Sequence, residues 1–192
     1  MSDLSFDARR YKIFESTLSN ELKDHIRDVE DYPKPGIVFK DITPVLANPD
    51  LIRRIVEEQA AYWRSMGIEA VVGVEARGFI LGSVLAHVLK CPFIPVRKSG
   101  KLPSKRLAQQ YNLEYGSAEI EIHEDALPIG CKTLIHDDLL ATGGTSLGAA
   151  KLVERLGGEV AGFSFLIKLS FLVGADKIAA AYDVPLVYQV SY

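Results

Sequence analysis

The 192-residue chain has only two cysteines, Cys91 and Cys131, far apart and in no Cys-x-x-Cys pair. That spacing suggests neither a disulfide framework nor a zinc site, and both are expected as reduced thiols in a core. No run of about 18 apolar residues occurs, and the opening MSDLSFDARR has no apolar stretch of the kind a secretory leader needs, so a cytoplasmic protein is expected. Basic charge is not in excess: 22 Lys and Arg stand against 25 Asp and Glu, a net charge of −3. Without a broad basic surface, nucleic acid is not an expected partner, and phosphate must be held by local cations and amides. Internal repeats and low-complexity segments are also missing. What remains, 48% apolar and 24% charged, suits one α/β domain over residues 1–192 and is too short for two.

The most informative stretch is TLIHDDLLATGGT, residues 133–145. An apolar run delivers two adjacent carboxylates, Asp137 and Asp138, and a Gly- and Thr-rich turn leads into an amphipathic helical pattern. Backbone N–H groups of Ala141, Thr142, Gly143, Gly144 and Thr145 can face an anion at the positive end of that helix, and the glycines allow close approach. Carboxylates are poor partners for phosphate but good acceptors for a vicinal diol, so the combination points to a ribose 5-phosphate. A P-loop is excluded because no Gly-Lys-Ser/Thr follows, and a dinucleotide fingerprint because the acids precede the glycines.

The remaining segments alternate helix and strand. Leu18, Leu22 and Ile26 predict an amphipathic helix over residues 16–28, with His25 interfacial or solvated. Asn48 and Pro49 open a helix that Gly67 ends. Residues 70–74 read as a buried parallel strand, Glu75-Ala76-Arg77-Gly78 as a loop and residues 79–89 as a helix. Residues 93–96 predict a strand, followed by a basic loop and about ten polar residues with little apolar periodicity. In residues 118–123, Ile120 and Ile122 alternate with Glu119, Glu121 and His123, the pattern of a half-exposed strand with His123 solvated. Helix over 146–156, strand over 160–169, helix over 177–182 and strand over 186–190 complete the pattern.

The central stretch resembles the phosphoribosyl-pyrophosphate signature of type I phosphoribosyltransferases, and LLATGGT after Asp-Asp is similar to the adenine-specific branch of that family. Three further segments match in family order: PGIVFKDI, the loop with ARGF, and RKSGKLP running to LEYG. The resemblance implies a mostly parallel central sheet flanked by helices, an N-terminal hood at about 30–45 and a flexible lid at about 98–117. It implies that backbone groups of Val38 and Lys40 read the base while Phe39 stacks on it, with Leu169 as the opposite wall. Composition alone reads Phe39 as a core plug and Leu169 as a core residue. By the same resemblance Arg77 and Lys98 meet pyrophosphate, Arg97 reaches that of a neighbouring subunit, Tyr115 belongs to the lid, and Glu114 is the catalytic acid/base.

Two departures stand out: Ala76 replaces a familiar Ser, and Ser99 stands where an Arg is sometimes found. A third is His136, where an apolar residue commonly precedes the acid pair. The implied reaction is adenine plus 5-phosphoribosyl 1-pyrophosphate giving AMP plus pyrophosphate, in a homodimer, with Mg2+ held mainly by the substrate and water. Transfer to another base, or a non-catalytic sensor on the same fold, are the alternatives.

Overall fold

The apolar runs predicted as buried strands pair in parallel at the centre of the molecule, so that both faces need helical cover. The computed structural model describes residues 11–13, 17–112 and 117–192. In chain order these form β1 (Tyr11–Ile13), α1 (Thr17–His25), β2 (Arg27–Val29), β3 (Phe39–Asp41), α2 (Thr43–Leu46), α3 (Pro49–Trp63), β4 (Ala70–Val74) and α4 (Gly78–Leu89). There follow β5 (Phe93–Lys98), β6 (Arg106–Asn112), β7 (Ser117–His123), β8 (Lys132–Leu140), α5 (Gly144–Arg155), β9 (Glu159–Lys168), α6 (Gly174–Ala181) and β10 (Leu186–Ser191). The main sheet has the order β1-β10-β9-β8-β4-β5-β7-β6, parallel from β1 to β5 and antiparallel at β5–β7 and β7–β6.

Successive residues of the central strands enter different cores, as pleating requires. Val71, Leu134 and Val187 pack with α1, α3 and α4 around Trp63, whereas Val72, Ile135 and Leu186 pack with α5 and α6 around Phe163 and Phe165. The predicted helix start holds: the Asn48 side chain accepts from Leu51 N at 3.1 Å, with Pro49 at the first helical position. Gly67, left-handed at φ 67°, follows the short 3-10 turn that ends α3. Cys91 is half-buried and Cys131 buried, both free. Among the described residues no helix is long and apolar enough to cross a membrane.

Three expectations need correction. The first helix ends at His25 rather than near residue 28, because Arg27–Val29 pairs antiparallel with Phe39–Asp41. Ion pairs hold that ribbon, Lys40 Nζ to Asp28 at 2.6 Å and Arg27 to Asp41 at 3.8 Å. The polar stretch after the basic loop is not loop throughout: residues 106–112 form β6, hydrogen-bonded to β7 along its length. Leu107 and Tyr111 turn toward the core at strand spacing, with Gln109 between them masking the apolar period. Finally, β7 is not half-exposed. Ile120, Glu121 and Ile122 are all buried, since β5 and β6 flank the strand and the turn after β5 covers Glu121. His123 is half-buried rather than solvated, its Nε2 buried without a hydrogen-bond partner among the described residues.

Candidate active site

Strands β4 and β8 are neighbours whose connections diverge: β4 leads through α4 to β5 on one side, and β8 through α5 to β9 on the other. Diverging connections leave a crevice at the carboxyl ends of the two strands, where open α/β sheets bind ligands. The register Gly73↔His136 brings the loop after β4 alongside the acid pair. Arg77 Nε lies 2.9 Å from Asp138 Oδ2, although 60 or so residues separate the two segments. Arg77 Nη1 is buried with no hydrogen-bond partner among the described residues. The Glu75-Ala76 peptide in that loop is cis.

The two aspartates continue β8 rather than follow it, and Asp138 is 4% exposed. Asp137 Oδ1 accepts from the N–H of Asp138 at 2.9 Å. Gly78 makes the room, since a Cβ there would stand 2.9 Å from Asp137 Oδ1 and 3.0 Å from the His136 carbonyl. Burial, together with the adjacent Asp138 charge, raises the Asp137 carboxyl well above its ordinary value. Burial raises Asp138 too, with Arg77 pulling the other way. The crevice therefore holds two adjacent carboxyl groups, able to hydrogen-bond with hydroxyls.

His136, whose effect the sequence leaves open, is 1% exposed and packs beside Gly82 of α4. Gln59 donates from Nε2 to the Phe165 carbonyl and accepts the Ser164 hydroxyl proton at 2.6 Å. Ser164 can then only accept from His136 Nδ1, 3.1 Å away, so the imidazole carries its proton on Nδ1. Burial pushes its pKa down to about 4, and the ring is neutral at pH 7.

The turn from β8 into α5 has the strand, glycine bend and helix start that its residues predict. Gly143 adopts φ 77° before α5, and no side chain caps the helix start, leaving its first-turn amides open. Ala141, Thr142, Gly144 and Thr145 are partly exposed around it. From behind, α6 presses against this loop: a Cβ on Gly174 would collide with the Ala141 carbonyl, and one on Gly143 would stand 2.9 Å from Gly174 O.

Beside β3, a slot of about 100 Å³ is lined by Val38, Phe39, Lys40, Arg77, Leu139 and Leu169. Phe39 is no core plug. Its ring is half-buried, 4.8 Å under the Arg77 guanidinium and edge-on to Tyr32 at 5.2 Å. Leu169 does both: it packs against the core around Trp63 and lines the cavity. A wider cavity of about 780 Å³ adjoins the slot, bounded by Ile37, Val38, Ala141, Thr142, Phe171 and Tyr192. Lys40 Nζ, bonded to Asp28, sits 3.8 Å over the Tyr192 ring and ties the hood to the last residue.

Across the crevice, Lys98 is exposed. Arg97 is engaged within its own chain, with Glu75 at 2.9 Å and the Lys101 carbonyl at 2.9 Å. The Arg97 guanidinium, with the Lys98 amide, holds the Glu75 carboxyl below its ordinary range. Glu114 and Tyr115 lie outside the described residues. The sequence reading missed Glu75, Gly78, Glu121 and Gly174. The only local signal was glycine at helix starts, because each acts on a segment distant in the chain.

A family model of the phosphoribosyl transferase domain matches residues 43–185. An adenine phosphoribosyltransferase of Myxococcus xanthus is 52% identical over 164 residues, 85% of this chain and 89% of that protein. The crystal structure of adenine phosphoribosyltransferase from Rhodothermus marinus is similar at a TM-score of 0.86 and 50% identity, over 92% of this chain and 99% of that one. The Saccharomyces cerevisiae enzyme, solved with adenine and an imino-altritol bisphosphate, is 35% identical at a TM-score of 0.82, over 88% of this chain and 96% of that one.

Proposed function

Since the chain belongs to the adenine phosphoribosyltransferases, within the phosphoribosyl transferase family, we propose how its residues divide the work of that reaction. Adenine and 5-phosphoribosyl 1-pyrophosphate become AMP and pyrophosphate, a step of purine salvage. The N9 nitrogen of adenine bonds to the anomeric carbon as the bond to the diphosphate oxygen breaks, and N9 loses its proton. Positive charge grows on the ribose and negative charge on the leaving group, so the site must orient the one and hold the other.

Asp137 and Asp138 accept from the two ribose hydroxyls, and the amides from Ala141, Thr142, Gly143, Gly144 and Thr145 hold the 5′-phosphate. Arg77 and Lys98 face the diphosphate. Val38 and Lys40 offer backbone groups to the purine edge, with the ring between Phe39 and Leu169. Glu114 takes the N9 proton, and Tyr115 covers the site with it. The observation that carries this reading is the meeting of the acid pair, the unpartnered Arg77 Nη1 and the Phe39–Leu169 slot at one crevice.

Magnesium belongs to the proposal as an ion carried on the substrate. Among the described residues no group of three or more potential ligand side chains is gathered, and Asp138 already faces Arg77, which suits an ion held by diphosphate oxygens and water. When bound, it would neutralise charge on the leaving group. We also assign a homodimer, supported by Ile80 and Val84, exposed one turn apart on α4. In it, Arg97 could reach a neighbouring pyrophosphate only by leaving Glu75. A cytoplasmic location accords with two free thiols.

A panel of adenine, guanine, xanthine, uracil and orotate, each with the phosphoribosyl donor and Mg2+, tests the function. Adenine should be preferred by about a hundredfold or more in kcat/KM, because backbone groups set to pair with one base edge are left unpaired by another. Equal turnover of another base would reject the assignment. Separately, Gly174→Ala should raise the KM for the donor about tenfold or more, since a buried methyl with no space costs ~1–3 kcal/mol and here would displace the phosphate loop. An unaltered KM would mean that α6 does not shape that loop.

A further inference from the structure

We propose that Glu121 is a positioning residue for this reaction: from beneath the turn after β5 it fixes Ser99 and Gly100, and thereby sets where Lys98 presents its ammonium group to the leaving diphosphate. The inference rests on the assignment of Lys98 made above.

The turn is entered from the end of β5, where Lys98 pairs with Ile120 of β7, and left at buried Leu102, and between those ends it has little else to hold it. Lys98, Ser99, Gly100 and Lys101 are all exposed, and around Gly100, at φ 79°, an added Cβ would meet nothing within 4 Å. Apolar packing holds only its far end, at Leu102, and along the exposed residues hydrogen bonds must set its position. Within the turn the Lys101 amide donates to the Lys98 carbonyl and Arg97 to the Lys101 carbonyl, and carboxylates grip it from outside. At one end Glu75 accepts from the Lys98 amide at 3.0 Å and from Arg97. At the other end Glu121 accepts from the Gly100 amide at 3.1 Å and the Ser99 hydroxyl at 3.1 Å. The Ser99 hydroxyl also reaches Glu119 at 2.7 Å, and the Ser99 amide donates to the Glu119 carbonyl.

Glu121 is unusual in being 3% exposed yet charged. Burial acts to raise its carboxyl, but Arg106 at 3.0 Å, the Gly100 amide and the Ser99 hydroxyl together hold it below the ordinary value, so it is ionised at neutral pH. For the sheet alone an apolar side chain between buried Ile120 and Ile122 would serve as well. A charge is needed there only if something must be gripped. What it grips is the turn next to Lys98 on one side and Arg106, the first residue of β6, on the other, so the cationic turn and the hairpin β6–β7 share one anchor.

The test is steady-state kinetics of Glu121→Gln, Lys98→Ala and the double variant. Glu121→Gln keeps the shape but weakens the grip, and should raise the KM for the phosphoribosyl donor about fivefold to tenfold, with the KM for adenine unchanged. In the Lys98→Ala background it should add nothing further, because it acts through that lysine. An unchanged donor KM, equal rises for both substrates, or multiplying effects in the double variant would each overturn the proposal. A Lys98→Ala protein with unaltered donor KM would instead remove Lys98 from the site, and the inference would fall with its premise. Should Glu121→Gln not fold, Ser99→Ala on the exposed turn should show a smaller rise in the same constant, and no rise would overturn it.

Discussion

Changing Asp137 and Asp138 together to Asn is expected to weaken binding of 5-phosphoribosyl 1-pyrophosphate about a hundredfold or more, without lowering the melting temperature of the empty protein. Each carboxylate would accept from a ribose hydroxyl, and a hydrogen bond to a charged group contributes ~1.5–3 kcal/mol. Asn keeps the size but offers a weaker acceptor and a competing donor. The stability half of the expectation follows from the sign of the shifts. Burial raises both carboxyls, Asp137 well above its ordinary value, so the folded protein prefers the protonated form more than the unfolded chain does. The stability this contributes is present below the ordinary carboxylate range and is lost as pH rises through the raised value. Ionising the pair thus costs the folded state stability, partly offset by Arg77 on Asp138. Removing the charges relieves that cost. Calorimetric titration reads the affinity and thermal melts across pH read the stability. Unchanged affinity would refute the ribose assignment, and a much lower melting temperature would show the pair to be structural.

Glu114→Gln should lower kcat by about a hundredfold to ten-thousandfold while moving either substrate constant little, the range for loss of a positioned general acid or base. The reason lies in the charge balance at N9. As that nitrogen bonds to the anomeric carbon it becomes more acidic, and its proton needs an acceptor only as the transition state is reached. Gln occupies the same volume and can hydrogen-bond but cannot take the proton. The pH dependence separates this from lid damage: the acidic limb of kcat, which reports protonation of the base in the complex, should disappear in the variant. A kcat within a few-fold of the parent, or a retained acidic limb, would remove Glu114 from the proton's path.

Much of this protein could be read directly from its letters. Val71 and Val72, or Leu134 and Ile135, are apolar in succession, which only a strand covered on both faces can satisfy, and helices on either side do cover it. Asn48-Pro49 and Gly157-Gly158 mark helix ends because capping and left-handed backbone are local chemistry. The ribose-phosphate signature was legible for the same reason: acids, glycines and helix start lie within one short segment. Where polar residues were concerned, local pattern misled. Glu121 looked solvent-facing because period two assigns it to the face opposite Ile120 and Ile122, yet the turn at Ser99 and Gly100 covers that face. Residues 106–112 looked like loop because the inward position between Leu107 and Tyr111 holds a glutamine. The ribbon β2–β3 rests on ion pairs between residues with no apolar period at all. Chain order likewise left open that β4 would lie beside β8, the adjacency that joins Arg77 to Asp138 and opens the crevice. Periodicity and capping are written in neighbouring residues, so the sequence by itself determined the buried central strands, the helices that cover them and the glycine turn before α5. The burial of a charge, and the meeting of two loops, depend on partners far along the chain, and only the folded arrangement of strands decided them.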